Sequence, residues 1–131
     1  MIFVDSGAWF ATIVPSDQDY RAAKSWFDTN DDMLVTSNFI VDETLTLFRA
    51  RGETRHAEHI GTLFFEGELA QIEYVAEDDF RKAWTIFRDY KDKQWSFTDC
   101  TSKIIMECLG IKTAFAFDQH FRQFGSVDVV P

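Results

Sequence analysis

The chain has 131 residues and a mass of 15.2 kDa, a length that fits a single domain over residues 1–131. A content of 46% hydrophobic and 27% charged residues excludes disorder and low complexity, and thirteen basic against 22 acidic side chains give a net charge of −9. That is the wrong sign for gripping nucleic acid through a general basic patch, so a polyanion would need a bridging cation. Fourteen Phe, four Trp and three Tyr imply a bulky core and an exposed adhesive face.

Met1 to Val4 reads as a buried strand ending at Asp5. Ser6 to Val14 is helical, and Pro15-Ser16 separates it from a second helix, Asp17 to Asp28, with Ser16 as its cap. After the loop at Asn30-Asp31-Asp32, Met33 to Thr36 is a strand and Asn38 caps a helix running to Arg51 and stopped by Gly52. Glu53 to Glu66 is a further helix, and Leu69 to Val75 an edge or half-exposed strand, because Gln71 and Glu73 alternate with apolar neighbours. Asp78 to Tyr90 is helical, with Phe80, Ala83, Trp84 and Phe87 on one stripe. Thr98 to Leu109 is a helix ended by Gly110, Thr113 to Phe117 a strand, Gln119 to Phe124 a short helix and Val127 to Val130 the last strand.

Strands alternating with helices predict an α/β fold with a mostly parallel sheet of four to five strands, covered by helices on both faces. Such sheets bind ligands beyond the carboxyl ends of their strands. Asp5 and Asp118 each follow a strand there, and each has two readings: a helix N-cap, or a group aimed into the crevice. Asp99 is equally divided, because Ser96-Phe97-Thr98-Asp99 has the form of a capping box. Glu43 is different, since it shares a helical stripe with Ile40 and Leu47 and so faces the protein, while Asp42 falls on the polar face with Thr46 and Arg49. A carboxylate turned inward needs a proton, a cationic side chain or a metal. No Arg or Lys stands at the strand ends, and convergent carboxylates are what a hard cation such as Mg²⁺ or Mn²⁺ requires.

Four segments carry a family resemblance: Ile2-Phe3-Val4-Asp5-Ser6; Glu43 within its apolar stripe; Trp95-Ser96-Phe97-Thr98-Asp99-Cys100-Thr101-Ser102; and Ala116-Phe117-Asp118-Gln119-His120-Phe121. Together, over essentially the whole chain, they resemble the PIN-domain proteins, and more narrowly the toxin ribonucleases of VapBC-type toxin-antitoxin pairs. The resemblance implies a PIN-like three-layer sandwich and a metal-dependent endoribonuclease that leaves 5′-phosphate and 3′-hydroxyl ends. Asp5, Glu43, Asp99 and Asp118 would be its catalytic and metal-holding acids, with Mg²⁺ as cofactor and Mn²⁺ able to replace it. Ser6, Ser96 and Thr98 match positions that line the same pocket as outer hydrogen-bonding residues. The implied partners are RNA, a cognate antitoxin protein and a second copy of the chain. Two rivals are a non-catalytic PIN-like module that binds RNA or protein, and a Mg²⁺-dependent phosphatase or receiver domain. Against the phosphatase, Gly7 stands two residues after Asp5 where a second Asp is required.

The remaining polar residues have plainer readings. His56 and His59 lack companions for a zinc site, His120 is a packed or capping side chain that could reach substrate, and Cys100 has no companion base. Trp9, Phe10, Trp26 and Phe27 are core or subunit-contact residues. No phosphate-binding glycine motif is present, so a nucleotide cofactor is not expected. Cys100 and Cys108 lie about 12 Å apart along one helix and cannot pair. With no apolar run long enough for a bilayer, no signal-peptide pattern at the start and two cysteines that cannot pair, a reducing cytoplasm is the expected compartment, and the family resemblance implies a prokaryotic one.

Overall fold

A computed structural model describes residues 1–131. The elements in order are β1 (Ile2–Val4), α1 (Ser6–Ile13), α2 (Tyr20–Thr29), β2 (Leu34–Ser37), α3 (Asn38–Ala50), α4 (Thr54–Phe65), β3 (Gln71–Glu73), α5 (Glu77–Asp89), α6 (Phe97–Leu109), β4 (Thr113–Phe115), a 3-10 turn (Phe121–Phe124) and β5 (Asp128–Val130). All four pairings of the five-stranded sheet are parallel, in the order β3-β2-β1-β4-β5. Helices α1 to α4 pack among themselves on the crossovers from β1 to β2 and from β2 to β3, and α5 and α6 form the other layer on the return to β4. No helix is long and apolar enough to cross a membrane.

β1 is central and fully apolar, as a parallel strand covered on both faces must be, and Phe3, Val4, Val35, Ala114 and Phe115 are wholly buried around it. Trp9 packs edge-on to Phe64 with ring centres 5.2 Å apart, and Phe3 stacks on Phe121. α6 is covered twice: Ile105 and Met106 belong to the main core, while Cys100 and Ile104 form a small second core with Ala83 of α5 and Trp95.

Several boundaries differ from the sequence expectation, each for a local reason. α2 begins at Tyr20, because Asp17 holds the preceding residues in a turn by accepting from the Asp19 amide at 2.9 Å; Ser16 caps nothing. The cap of α3 is Ser37, whose hydroxyl accepts from the Ile40 amide at 3.0 Å. Asn38 instead accepts from the Val75 amide at 2.9 Å and ties the start of α3 to the end of the β3 segment. The α5 stripe is only partly core: Ala83 is buried, but Phe80, Trp84 and Phe87 are about half exposed.

Ser37 is buried at the junction of β2 and α3, so Ser37→Ala removes a helix cap without changing a contact face. The expected cost is about 1 kcal/mol, seen as a melting temperature lowered by roughly 4 °C. An unchanged melting curve would show that the cap contributes nothing.

Candidate active site

The strand order reverses direction about β1, and the crevice beyond the carboxyl ends of β1 and β4 is where an open parallel sheet places ligands. Asp5 leaves β1 there with its amide held by the Phe115 carbonyl at 3.1 Å, and only 4% of the residue is exposed. It occupies the N-cap position of α1 without making a side-chain capping bond, which removes the capping reading for this residue.

Three further carboxylates face Asp5. Burial is the largest influence on its acidity, followed by the charges of Asp118, Asp99 and Glu43, and together they hold its carboxyl well above the usual range against one favourable bond from the Ser6 amide. Glu43 is half-buried on α3 and accepts a hydrogen bond from the Ser6 hydroxyl at 2.5 Å. Asp118 is exposed, so the cluster grades from a buried floor at Asp5 to an open mouth. It lies three residues past β4 and not directly after a strand, and it accepts from the His120 amide at 2.8 Å, a turn of its own making.

Asp99 satisfies both of its sequence readings. It closes a capping box on α6, donating its amide to the Ser96 hydroxyl at 3.0 Å and accepting the Ser96 amide on Oδ2 at 2.9 Å. The same Oδ2 lies 2.8 Å from His120 Nδ1. With two donors on Oδ2, Oδ1 is the oxygen left for the crevice. Burial raises the Asp99 carboxyl most, the Ser96 amide opposes it, Asp118 raises it further and His120 lowers it, with a net upward shift.

The structure thus brings Asp5, Glu43, Asp99 and Asp118 together with Ser6. Ser96 is the exposed cap of α6, and half-buried Thr98 contributes its carbonyl to the Thr101 hydroxyl at 2.7 Å; neither makes a side-chain bond to a carboxylate of another element. The residue that sequence reasoning undervalued is His120, which joins Asp99 and Asp118 in a set of ligand atoms within 4.8 Å of one another. Its link to Asp99 spans 21 residues, and the only sequence signal was its place two residues after Asp118. The other candidates fall away. His56 pairs with Glu53 in an i, i+3 bond, and burial pushes the Cys100 thiol up to about 11, which keeps it from acting as a nucleophile. The largest groove, about 720 Å³ lined by Met33, Leu34, Phe65 and Leu69, lies beside the amino ends of β2 and β3 and gathers none of this chemistry.

No lysine or arginine lies within 4.0 Å of any of the four carboxylates; their one neighbour of basic type is the imidazole of His120. A nearly buried carboxylate faced by three others and by no cationic side chain is a donor set that fits a hard divalent cation, which takes oxygen ligands and supplies the missing charge.

A PIN-domain family model matches residues 2–127. The chain belongs to the PIN-domain family. Within it, the 23S rRNA-specific endonuclease VapC20 of Mycobacterium tuberculosis, from strains CDC 1551 / Oshkosh and ATCC 25618 / H37Rv, is 32% identical over 131 residues, which is 100% of this chain and 99% of the relative. The crystal structure of VapC20, described as a sarcin-ricin loop cleaving toxin, superposes with a TM-score of 0.92 at 31% identity and covers 100% of both chains. FitAcB from Neisseria gonorrhoeae shares the fold, with a TM-score of 0.71 at 13% identity over 100% of this chain and 97% of that one.

The raised acidity constant of Asp5 makes a stability prediction for the metal-free protein. The folded state binds a proton more tightly here than the unfolded chain does. The contribution is therefore fully present below the ordinary carboxylate range and is lost as pH rises through the raised folded value. Asp5→Asn removes that loss and is expected to raise the melting temperature in chelator at neutral pH by a few degrees, on the order of 1 kcal/mol. A lowered melting temperature would mean that the Asp5 carboxylate supports the fold.

Proposed function

We propose that this chain is a Mg²⁺- or Mn²⁺-dependent endoribonuclease, the toxin of a toxin-antitoxin pair, working as a homodimer. The observation that carries the reading is the convergence of Asp5, Glu43, Asp99 and Asp118 at the carboxyl end of the sheet with no lysine or arginine beside them. Those four side chains would hold the cation, which when bound supplies charge neutralisation at a phosphate and a lowered pKa for water.

The chain's own residues set which oxygens face the crevice. Ser6 occupies Oε1 of Glu43 and leaves Oε2; Ser96 and His120 occupy Oδ2 of Asp99 and leave Oδ1. Glu43 and Asp99 are thereby each held in one orientation, a condition for a site that does not reorganise during the reaction. With Asp99 ionised, His120 carries its proton on Nδ1, and Nε2 has no partner within the chain. The acidity of the protein is no obstacle in this reading, because the cation reverses the local charge that a phosphodiester meets. VapC20 is named for cleavage of 23S rRNA, and by that likeness a structured ribosomal RNA is the substrate to try first. A protein antitoxin is the expected regulator.

The test is incubation of the protein with ribosomal RNA in chelator and in Mg²⁺ or Mn²⁺, with the ends mapped. Cleavage is expected only with metal, and Asp99→Asn, close in shape but lacking ligand charge, should reduce it by orders of magnitude. Asp42→Asn, on the exposed face of α3 in the groove against α4, should leave it nearly unchanged. Comparable cleavage by Asp99→Asn and the parent would remove this reading.

A further inference from the structure

When water attacks a phosphodiester, its oxygen joins phosphorus and the bond from phosphorus to the 3′-oxygen breaks. One proton of the water ends on the departing 3′-oxygen and the other goes to the phosphate or to solvent, so the ends are a 5′-phosphate and a 3′-hydroxyl. The 2′-hydroxyl forms and breaks no bond in that reaction, and DNA offers the same phosphorus and the same leaving oxygen. A nuclease that uses water therefore gains no preference for RNA from its chemistry. It must touch the 2′-hydroxyl, the group by which a protein tells the two sugars apart.

Among the polar side chains around the four carboxylates, the Ser6 hydroxyl donates to Glu43 and the Ser96 hydroxyl receives the Asp99 amide at 3.0 Å. His120 is fixed at three points. Its amide donates to Asp118 Oδ1 at 2.8 Å, its carbonyl receives the Gln123 amide at 3.0 Å, and its Nδ1 stands 2.8 Å from Asp99 Oδ2. The next residue, Phe121, is wholly buried and stacks on Phe3 of β1, so the backbone that carries the imidazole is anchored in the core. The side chain nevertheless keeps 23% of its surface exposed, and Nε2 has no partner within the chain and is not sealed from solvent.

With Nδ1 turned to Asp99, Nε2 lies one ring's width from the carboxylate cluster. A phosphodiester held at that cluster brings with it the ribose whose 3′-oxygen departs, and the 2′-hydroxyl is on the adjacent carbon. A hydroxyl both donates and accepts, so it suits Nε2 whether or not that nitrogen carries a proton. A phosphate oxygen only accepts and suits it in one state alone. We propose that His120 Nε2 hydrogen-bonds the 2′-hydroxyl of the nucleotide on the 5′ side of the scissile bond, and that this contact makes the site prefer RNA to DNA. The proposal rests on the endoribonuclease reading above and names the residue that supplies its choice of sugar. The rival roles for His120 are to position Asp99 and nothing more, or to hold the cation with Asp99 and Asp118.

The test compares two ribosomal RNA oligonucleotides in Mn²⁺, identical except that one carries a single 2′-deoxyribose at the nucleotide that supplies the leaving 3′-oxygen. The parent should cut the all-ribose strand about 10-fold faster, the effect of one hydrogen bond. In His120→Asn the amide nitrogen takes the place of Nδ1 against Asp99 and nothing takes the place of Nε2. That variant should cut both strands at the parent's rate on the deoxy strand and bind Mn²⁺ as the parent does in calorimetry. His120→Ala, the second variant, should also lose the preference. Variants that lose rate on both strands and keep the preference assign His120 to positioning, and a His120→Asn that loses its Mn²⁺ affinity assigns it to the cation; either overturns the proposal. A parent that cuts both strands alike overturns it too, leaving the endoribonuclease reading intact. A parent that cuts neither strand overturns that reading, and this contact with it.

Discussion

Four carboxylates close enough to feel one another's charge, with no lysine or arginine beside them, are the constraint on which the rest of this structure depends. Asp5 is carried into the protein by the central strand, and Glu43, Asp99 and Asp118 meet it from three other segments. Burial and mutual repulsion both oppose its ionisation, so the metal-free site is a local cost to the folded state. The rest of the structure must therefore be stable enough to hold the acids in place. The sheet supplies that stability, with β1 bonded on both sides by parallel neighbours and its apolar residues buried.

Structural and chemical duties are combined in the same groups. Asp99 ends the orphaned amides of α6 and presents one oxygen to the crevice, so the helix cap is also the device that fixes a site residue. Asp118 uses an oxygen to shape the turn that delivers His120, and His120 returns to hold Asp99. Ser6, in the first turn of α1, orients Glu43 from 37 residues away. A substitution at any of these positions disturbs both the local fold and the carboxylate geometry, and conservative amide or alanine variants are needed to separate the two effects.

The legible part of this molecule was whatever local chemistry dictates. Alternation of strands and helices specifies the sheet and its layers, and the inward stripe of Ile40, Glu43 and Leu47 identifies a carboxylate facing the protein from sequence alone. The capping box at Ser96 was equally visible, but its second use was not, because the His120 contact to Asp99 is made across 21 residues. Asn38 was misread as a cap for the same reason: its partner, the Val75 amide, is 37 residues away, and the adjacent Ser37 does the capping. The stripe on α5 shows a different limit. Periodicity reports that a face needs covering and says nothing of what covers it, so Phe80, Trp84 and Phe87 fall on one stripe in the sequence while the fold leaves them half exposed.

Calorimetric titration of Mn²⁺ into chelator-cleared protein at mildly acidic pH, repeated in two buffers of different ionisation enthalpy, bears most directly on the central claim. Saturable binding should occur with release of protons, because the raised carboxyls of Asp5 and Asp99 must ionise to hold a cation, and Glu43→Gln should weaken it. Absence of binding, or binding with no proton release and no response to Glu43→Gln, would contradict the account.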